Sequence, residues 1–406
     1  MPTTLRDQHA LPDQRWLPDT AREGLLNTPF GLYVHVPFCA SRCGYCDFNT
    51  YTAAELGPGA SHHDYVDSVL AELRLVRHVL GPELPIVRTV FFGGGTPTVL
   101  PAEHLAAMLD EIRAEFPVAQ DVEITVEANP ESVTRASFAR LLRAGVNRVS
   151  MGMQSAVPHV LAVLDRLHTP GQALRAVEDA RAAGFHRISL DLIYGTPGES
   201  DEDWQTSLDA AVATGVEHVS AYALIVEPGT ALARSVQNGL IAAPDDDVLA
   251  DRYEQADQTL GAAGLDWYEV SNWAMSAAGR CRHNELYWTG GNWWGVGPGA
   301  HSHIGGARWW NRKHPAAYAR SLSEGQSPAH GSELLDTSQR HVETIMLGIR
   351  LRAGVCLDVL SERGQKRAAE AVTYGLLDRA AYAKGRAALT MRGRLLADAV
   401  VRDLTD

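Results

Sequence analysis

Short apolar and β-branched runs alternate with segments of helical periodicity along much of the chain. The runs that predict strands are Leu32–Val36, Val87–Phe92, Val122–Glu127, Asn147–Met151, Arg187–Tyr194 and His218–Ile225. After the first run, the segment DYVDSVLAELRLVRHVL repeats apolar residues at the spacing of one helical face. Further amphipathic segments lie near residues 102–115, 134–143, 171–183 and 201–213. This alternation predicts repeated βα units around a parallel sheet.

Six βα units predict a partial or complete α/β barrel rather than a small flavodoxin-like sheet. A chain of 406 residues has room for such a barrel and a further domain. In parallel sheets and barrels, ligands bind at the carboxyl ends of the strands. The polar residues and glycines that follow each predicted strand are therefore the candidate site residues.

The composition is that of a globular protein and narrows the classes of partner. Apolar residues make up 45% and charged residues 21%, so a large core can be buried. The formal net charge of −13 repels phosphate backbones and argues against nucleic acid as the main partner. No apolar stretch of about 18 residues occurs, and the N-terminus has no basic patch followed by an apolar run. We therefore predict no transmembrane segment, no secretory signal and a cytoplasmic location.

Three of the five cysteines lie in one loop directly after the first predicted strand. Cys39, Cys43 and Cys46 have the spacing CxxxCxxC in HVPFCASRCGYCDFNTY. Clustered thiols in a cytosolic protein more often serve metal or redox chemistry than disulfides. Three thiolates can hold three irons of a [4Fe–4S] cluster and leave the fourth iron open. The alternative is a structural zinc site completed by His35 or a distant residue, although no second cysteine or histidine knuckle is present.

With this loop after the first strand of a six-unit barrel, the chain resembles the radical S-adenosylmethionine (SAM) superfamily. The resemblance implies that SAM chelates the open iron through its amino and carboxylate groups. An electron from the cluster then cleaves SAM to a 5′-deoxyadenosyl radical. The stretch FFGGGTPT agrees, because glycines after a strand let the backbone approach a ligand and expose amide donors. Gly94, Gly95 and Thr96 match the superfamily motif that binds the methionine end of SAM.

Later strand ends are similar to those of the coproporphyrinogen III oxidase-like branch of this superfamily. The motifs are EITVEANPES, SMGMQS, LDRLHT and SLDLIYGTPGE. Within them, the residues that match the SAM contacts of the branch are Glu127, Gln154, Arg166 and Asp191. Tyr33, in YVHVPFC, matches a tyrosine beside the cluster of the branch. We assign Tyr45 of the cysteine loop to the same set of candidate cofactor-binding residues. The resemblance extends from about Leu32 to Leu404 and implies a partial (β/α)6 barrel.

A segment rich in tryptophan and glycine follows the barrel. Seven of the nine tryptophans lie between Trp267 and Trp310. The sequence HNELYW, residues 283–288, fits HNxxYW, the haem-associated motif of a haem-chaperone family in this branch. Its matching residues are His283, Asn284, Tyr287 and Trp288. Imidazole is a good axial ligand for haem iron, and His301 and His303 are alternative ligands. In the opposing interpretation, the tryptophans are core residues and His283 bonds a buried carbonyl group.

One position distinguishes the two activities of this branch. The oxygen-independent coproporphyrinogen III oxidase has an additional cysteine two residues after the third cluster cysteine, and that position is Phe48 here. The resemblance thus implies a haem chaperone that binds a [4Fe–4S] cluster, SAM and haem and delivers haem to haemoproteins, including membrane-bound ones. The alternative is the oxidase of porphyrin biosynthesis, a radical SAM enzyme acting on a porphyrinogen. Whether the chain is an enzyme stays open, and no residue is assigned a catalytic role.

The sequence predicts four parts. Residues 1–29 form an N-terminal extension without a readable signal, and residues 30–260 form the barrel. Residues 261–336 are the aromatic and glycine-rich segment with HNxxYW, and residues 337–406 form a small C-terminal domain. The last part has the pattern of helices, a turn, a β-hairpin and a final helix. It resembles the mainly helical, winged-helix-like domain of the branch, and we expect it to close over the barrel mouth or dock a haem acceptor.

Overall fold

The computed structural model describes residues 17–56 and 61–405. Contacts divide the chain into two compact units, each made of three sequence segments. The first unit is Met1–Ser150, Glu178–His186 and Gly291–Leu335, and the second is Met151–Val177, Arg187–Gly290 and Asp336–Asp406. This division cuts across the four parts predicted from the sequence. Residues 1–16 of the predicted N-terminal extension lie outside the described residues.

The strands of the described residues position the site. In chain order they are β1 (Phe30–Val36), β2 (Val87–Gly94), β3 (Val118–Ala128), β4 (Arg148–Gln154), β5 (Arg187–Tyr194), β6 (His218–Ala223), β7 (Asp266–Glu269), β8 (Asn272–Ala274), β9 (Asn292–Val296), β10 (His301–Ile304), β11 (Ala307–Asn311), β12 (Ala329–Leu334), β13 (Val355–Cys356) and β14 (Arg386–Ala387).

The helices alternate with the early strands and dominate the C-terminal residues. They are α1 (Asp19–Arg22), α2 (Ala53–Leu56), α3 (His62–Leu80), α4 (Ala102–Glu115), α5 (Arg135–Ala144), α6 (Pro158–Val163), α7 (Pro170–Ala183), α8 (Asp201–Ala213), α9 (Ala231–Gln237), α10 (Asp246–Ala262), α11 (Arg282–Trp288), α12 (Pro315–Ser323), α13 (Thr337–Gly348), α14 (Glu362–Thr373), α15 (Arg379–Tyr382), α16 (Met391–Leu395) and α17 (Ala397–Thr405). Among these helices of the described residues, none has the length and apolar character needed to cross a membrane.

Among the strands of the predicted βα units, β1 and β4 are almost entirely buried. In β1 only Tyr33 is half-buried, and β4 is buried throughout. Continuous apolar runs of this kind are typical of parallel strands covered on both faces. β1 pairs in parallel with β2, β2 with β3, and β5 with β6. The predicted α/β fold class, with a parallel sheet and alternating helices, is confirmed.

Local capping explains where three of the barrel helices begin. The side chains of Ser61, Thr134 and Ser200 precede α3, α5 and α8, and each accepts a hydrogen bond from the backbone N–H three residues later. That third residue, Asp64, Ser137 or Asp203, bonds back to the cap in each case. Such a capping box satisfies N–H groups that the helix itself leaves unpaired.

Part of the tryptophan-rich segment forms strands that the sequence pattern did not predict. In the first unit the strand order is β12-β11-β10-β9-β1-β2-β3. β9 joins β1 in parallel with Gly295 opposite Tyr33, and β10 and β11 continue antiparallel. Trp294 and Trp309 are buried, with ring centroids 4.6 Å apart at an interplanar angle of 74°. These two tryptophans are therefore core residues of the first unit.

A buried carboxyl group joins α3 to β9, β11 and α12 in the first unit. Glu72 accepts hydrogen bonds from the backbone N of Gly297 at 2.8 Å, Nδ2 of Asn311 at 2.7 Å and the Tyr318 hydroxyl at 2.5 Å. Burial raises the pKa of Glu72 to about 7, and the three donors oppose that rise. At Gly297, where φ is +106°, a Cβ would lie 2.5 Å from the carbonyl oxygen of His35. The network therefore holds the chain after β9 directly against β1.

In the second unit, β8 lies between β6 and β7 and is antiparallel to both. The C-terminal residues form their own apolar cluster on α13, α14 and α17. Its fully buried members include Ile345, Ile349, Ala368, Val400 and Leu404. This part of the chain is mainly helical, as predicted.

The β-hairpin predicted for the C-terminal residues is formed only in part. β14 pairs with β13, which precedes it by two helices, and within the predicted hairpin Leu377 and Leu389 form a single antiparallel bridge. A 3₁₀ turn over Leu357–Val359 comes before α14. The Ser361 side chain accepts a hydrogen bond from the N–H of Gly364 and starts the helix there.

Candidate functional site

The cysteine loop leaves the carboxyl end of β1 and returns at a parallel bridge between Phe38 and Tyr51. Cys39, Cys43 and Cys46 are partly exposed, and none of these three residues is part of a disulfide. The N–H of Cys39 donates to the Tyr51 carbonyl at 3.0 Å, and that of Cys46 to the Cys43 carbonyl at 3.2 Å. The three thiols thus lie on one hydrogen-bonded loop at the strand end expected for ligand binding.

Cys43 is close enough to Cys39 and Cys46 to affect the ionisation of both thiols. Burial raises the pKa of Cys39, a hydrogen bond from Thr96 opposes that rise, and Cys43 reinforces it. Burial likewise raises the pKa of Cys46, opposed by the N–H of Phe48 and reinforced by Cys43 and Cys39. Protonated thiols would release their protons on binding iron. In a cubane each thiolate binds a different iron, so mutual proximity on one loop fits that cluster.

The zinc alternative finds less support in the geometry. Tetrahedral zinc needs four donors that converge on one point. Across residues 17–56 and 61–405, no three His, Cys, Asp or Glu side chains are gathered in a way that could hold a single metal ion. His35, the nearby candidate for a further zinc ligand, instead directs Nε2 to the carbonyl oxygen of Asn49 at 2.9 Å.

The glycine loop after β2 lies directly against the first cysteine. The N–H of Gly95 donates to the Val36 carbonyl at 2.8 Å, and that of Thr96 to the Phe38 carbonyl at 2.7 Å. A Cβ on Gly95 would lie 2.5 Å from the carbonyl oxygen of Phe38 and 3.0 Å from Sγ of Cys39. The buried Thr96 hydroxyl points toward the same sulfur at 3.9 Å. The close approach of the two loops therefore requires glycine at position 95.

A carboxylate from β3 reaches this glycine loop. Oε2 of Glu127 accepts a hydrogen bond from the N–H of Gly94 at 3.0 Å. A Cβ on Gly93 would lie 3.1 Å from both that oxygen and Cε2 of Tyr33, so the missing side chain keeps the two groups close. Glu127 and Tyr33 are half-buried, as is Tyr45 in the cysteine loop. The structure brings Tyr33 of β1 together with Gly94 at the end of β2 and Glu127 near the end of β3.

Two asparagines beside the site were not singled out in the sequence. Nδ2 of Asn49 donates to backbone carbonyls before β10 and after β11, at 3.0 Å and 2.8 Å. Nδ2 of Asn129 donates to the Thr96 hydroxyl at 3.0 Å. Both residues lie inside stretches that carry the resemblance, CDFNTY and VEANPES. Their position next to matched residues was the available signal, but their partners are set by the fold.

In the second unit, Gln154 ends β4 in a left-handed backbone conformation. Its φ is +61°, and the only other non-glycine residue with positive φ among the described residues is Asp165, at +53°. Such conformations cost about 1–3 kcal/mol and cluster at ligand sites. Arg166 follows Asp165 and donates to the Gly152 carbonyl of β4 at 3.1 Å. Gln154 and Arg166 are therefore brought to the same strand end.

The residues that match SAM contacts fall into two sets, one in each unit. Asp191 lies half-buried on β5, opposite Ser220 of β6. It belongs to the second unit with Gln154 and Arg166. The first unit holds Tyr33, Tyr45, Gly94, Gly95, Thr96 and Glu127.

The HNxxYW motif forms the short helix α11 in the second unit. His283 is 1% exposed, and its Nε2 is hydrogen-bonded to the Tyr287 hydroxyl at 2.8 Å. Burial lowers the pKa of His283 to about 3, so the imidazole is neutral. Asn284, Tyr287 and Trp288 are half-buried. Ligation of haem iron through Nε2 would require His283 to release Tyr287.

The two alternative haem ligands differ sharply in accessibility. His301 is exposed and stacked on Trp310, with ring centroids 5.8 Å apart at 24°. His303 is buried, and both of its ring nitrogens are bonded to backbone groups. His301 is thus the more accessible of these two imidazoles.

Comparison with known proteins identifies the relatives of this chain. Residues 33–211 match the radical SAM superfamily. The chain is 55% identical over 376 residues to "Heme chaperone HemW" from Mycobacterium tuberculosis (strain ATCC 25618 / H37Rv), covering 93% of this chain and 95% of that protein. It is 40% identical over 277 residues to "Heme chaperone HemW" from Escherichia coli (strain K12), covering 68% and 70%.

Among solved structures, coproporphyrinogen III oxidase (HemN) from Escherichia coli, described as a radical SAM enzyme, matches with a TM-score of 0.82. The match covers 100% of this chain and 96% of that chain at 21% sequence identity. At this identity the likeness shows the fold alone, and it agrees with the predicted radical SAM barrel.

Proposed function

Because the chain belongs to the HemW family of the radical SAM superfamily, we propose that it is a haem chaperone that binds a [4Fe–4S] cluster, SAM and haem and delivers haem to haemoproteins. The observation that carries this proposal is the 55% identity over 93% of the chain to a protein named heme chaperone HemW. Phe48 supports it, because this side chain, 61% exposed, stands where the resemblance places an additional cysteine in the oxidase.

We propose that Cys39, Cys43 and Cys46 hold the cluster. The three thiols share one loop, Cys43 raises the pKa of both Cys39 and Cys46, and the glycine at position 95 leaves room for the loop beside them. The Thr96 hydroxyl orients Sγ of Cys39. When bound, the cluster supplies an open iron and one-electron chemistry.

SAM would bind at the carboxyl ends of the barrel strands. In the first unit, the Glu127 carboxylate beside Gly94 and Tyr33 suits the amino group of an amino acid. In the second unit, Arg166 and Gln154 offer donors, and Asp191 offers a carboxylate. The strained backbone of Gln154 supports a ligand role at this strand end.

Haem would bind at α11. The protein would carry out this function in the cytoplasm. We propose that haem displaces Tyr287 from the His283 imidazole, which then becomes an axial ligand, with the exposed His301 as the alternative. The acceptors are haemoproteins, including membrane-bound ones. The net charge of −13 argues against nucleic acid as a further partner.

An anaerobic haem titration tests this proposal. We expect a saturable Soret band in the wild type and an affinity at least about tenfold weaker in His283→Ala, because an axial ligand is lost. His63→Ala serves as the control, since that side chain is 78% exposed on α3. If His301→Ala alone weakens binding, the ligand is His301. Absence of saturable binding in the wild type, together with vinyl product from coproporphyrinogen III, would favour the oxidase instead.

A further inference from the structure

A buried hydrogen-bond chain in the second unit leads from β5 to the start of α11. The Ser189 hydroxyl is 2.6 Å from Nδ1 of His218, and Nε2 of His218 is 2.8 Å from the Tyr268 hydroxyl. The backbone N–H of Cys281 donates to that hydroxyl at 3.2 Å. The four residues lie on β5, β6, β7 and at the N-cap of α11, and none is more than 2% exposed. The chain therefore connects three strands to the HNxxYW helix without passing through solvent.

The direction of one bond in this chain is fixed, because the backbone N–H of Cys281 donates to the Tyr268 hydroxyl. That hydroxyl has one proton and two lone pairs, so it can either donate to Nε2 of His218 or accept from it. The tautomer of the His218 imidazole sets the direction of this bond and of the bond between Nδ1 and Ser189. A Ser–His pair can activate a nucleophile, but this one is closed to substrate and its second nitrogen is bonded to a tyrosine. Its role is therefore structural support rather than catalysis.

A second set of contacts joins Tyr268 to the same helix. The Arg280 guanidinium lies over the Tyr268 ring, 5.4 Å from its centroid, and is paired with Glu285 of α11 at 3.3 Å. The helix itself has only seven residues and no side-chain cap at Cys281. A helix this short depends on tertiary contacts rather than on its own propensity. Tyr268 supplies two of these contacts at the helix start.

We propose that Tyr268, held by His218 and Ser189, is a positioning residue that fixes the start of α11 and thereby the orientation of His283. Through Ser189, the same hydrogen-bond chain reaches β5. Asp191 lies on this strand, two residues after Ser189. The inference rests on the proposed function, because the orientation of His283 affects a ligand only if haem binds at α11. It adds to that function a buried support for the haem-associated helix.

Tyr268→Phe tests the inference against a matched variant in the same unit. Tyr253→Phe removes another buried hydroxyl, one that donates to the Val270 carbonyl at 2.9 Å and is bonded to Arg394. We expect Tyr268→Phe to weaken haem binding by about tenfold, the effect of losing one buried hydrogen-bonded contact. The Soret maximum should also shift, and amide exchange across residues 282–288 should be faster. Tyr253→Phe should change none of these three readouts.

The outcomes separate this inference from the proposed function. If the wild type binds haem and Tyr268→Phe matches it in affinity, Soret maximum and α11 exchange, the inference is wrong. Equal losses in Tyr253→Phe would also overturn it, because the effect would then be general destabilisation. If the wild type binds no haem, the proposed function fails. The positioning role of Tyr268 is then tested by amide exchange across residues 282–288 alone. Faster exchange of α11 only in Tyr268→Phe would still support the positioning role, and equal exchange would overturn it.

Discussion

Replacing any one of Cys39, Cys43 or Cys46 with serine is expected to reduce the iron and sulfide content of anaerobically reconstituted protein by more than about tenfold. Loss of an outer partner of a metal ligand already costs about 10–100-fold, and loss of a ligand itself costs at least as much. A hydroxyl stays protonated where a thiol can become a thiolate ligand. The measurement is iron and sulfide analysis together with the visible absorption spectrum.

The matched control is Cys356→Ser. Cys356 is an exposed thiol on β13 that accepts a hydrogen bond from Arg386 and lies outside the cysteine loop. This variant should bind iron as the wild type does. A full cluster in Cys43→Ser, or an equal loss in Cys356→Ser, would contradict the assignment of the three loop thiols.

Gly95→Ala is expected to impair the cluster almost as strongly, although Gly95 is not itself one of the three thiol ligands. The new Cβ would lie 2.5 Å from the carbonyl oxygen of Phe38, a backbone atom that cannot rotate away, and 3.0 Å from Sγ of Cys39. The cysteine loop must therefore shift, at a cost of about 1–3 kcal/mol. We expect an iron content at least about tenfold lower after reconstitution and a lower unfolding temperature.

Gly261→Ala is the matched control for this substitution. Gly261 lies in α10, and nothing lies within 4 Å of the place its Cβ would occupy. Alanine is the better helix former there, so stability should stay equal or rise by about 0.5–1 kcal/mol. Normal iron content and stability in Gly95→Ala would show that the two loops do not meet as described.

The strands and helices of the barrel could be predicted from the sequence because their buried positions appear in it as apolar runs. β5 and α4 begin and end at the predicted residues, Arg187–Tyr194 and 102–115. Parallel strands covered on both faces and amphipathic helices each leave a local pattern. β9, β10 and β11 leave a weaker pattern, because they are short and β9 pairs with a strand near the other end of the chain.

The candidate site was predictable only where residues belong to a contiguous motif. CxxxCxxC and GGGT fixed the thiols and the glycine loop, and the structure brings Gly95 and Thr96 against Cys39. The bonds of Asn49 and Glu72 to residues after β9 depend on tertiary register, which the sequence does not record. The burial of His283 behind Tyr287 could not be predicted from the sequence either, because it depends on how α11 packs.

We infer that the three thiolates leave one iron of the cluster open for SAM. The direct measurement is the electron paramagnetic resonance spectrum of the reduced, reconstituted wild type before and after SAM is added. We predict a [4Fe–4S] signal whose g values change with SAM, because a ligand then enters the coordination shell of the open iron. A signal that SAM leaves unchanged, or tetrahedral zinc at the three thiols, would contradict the account.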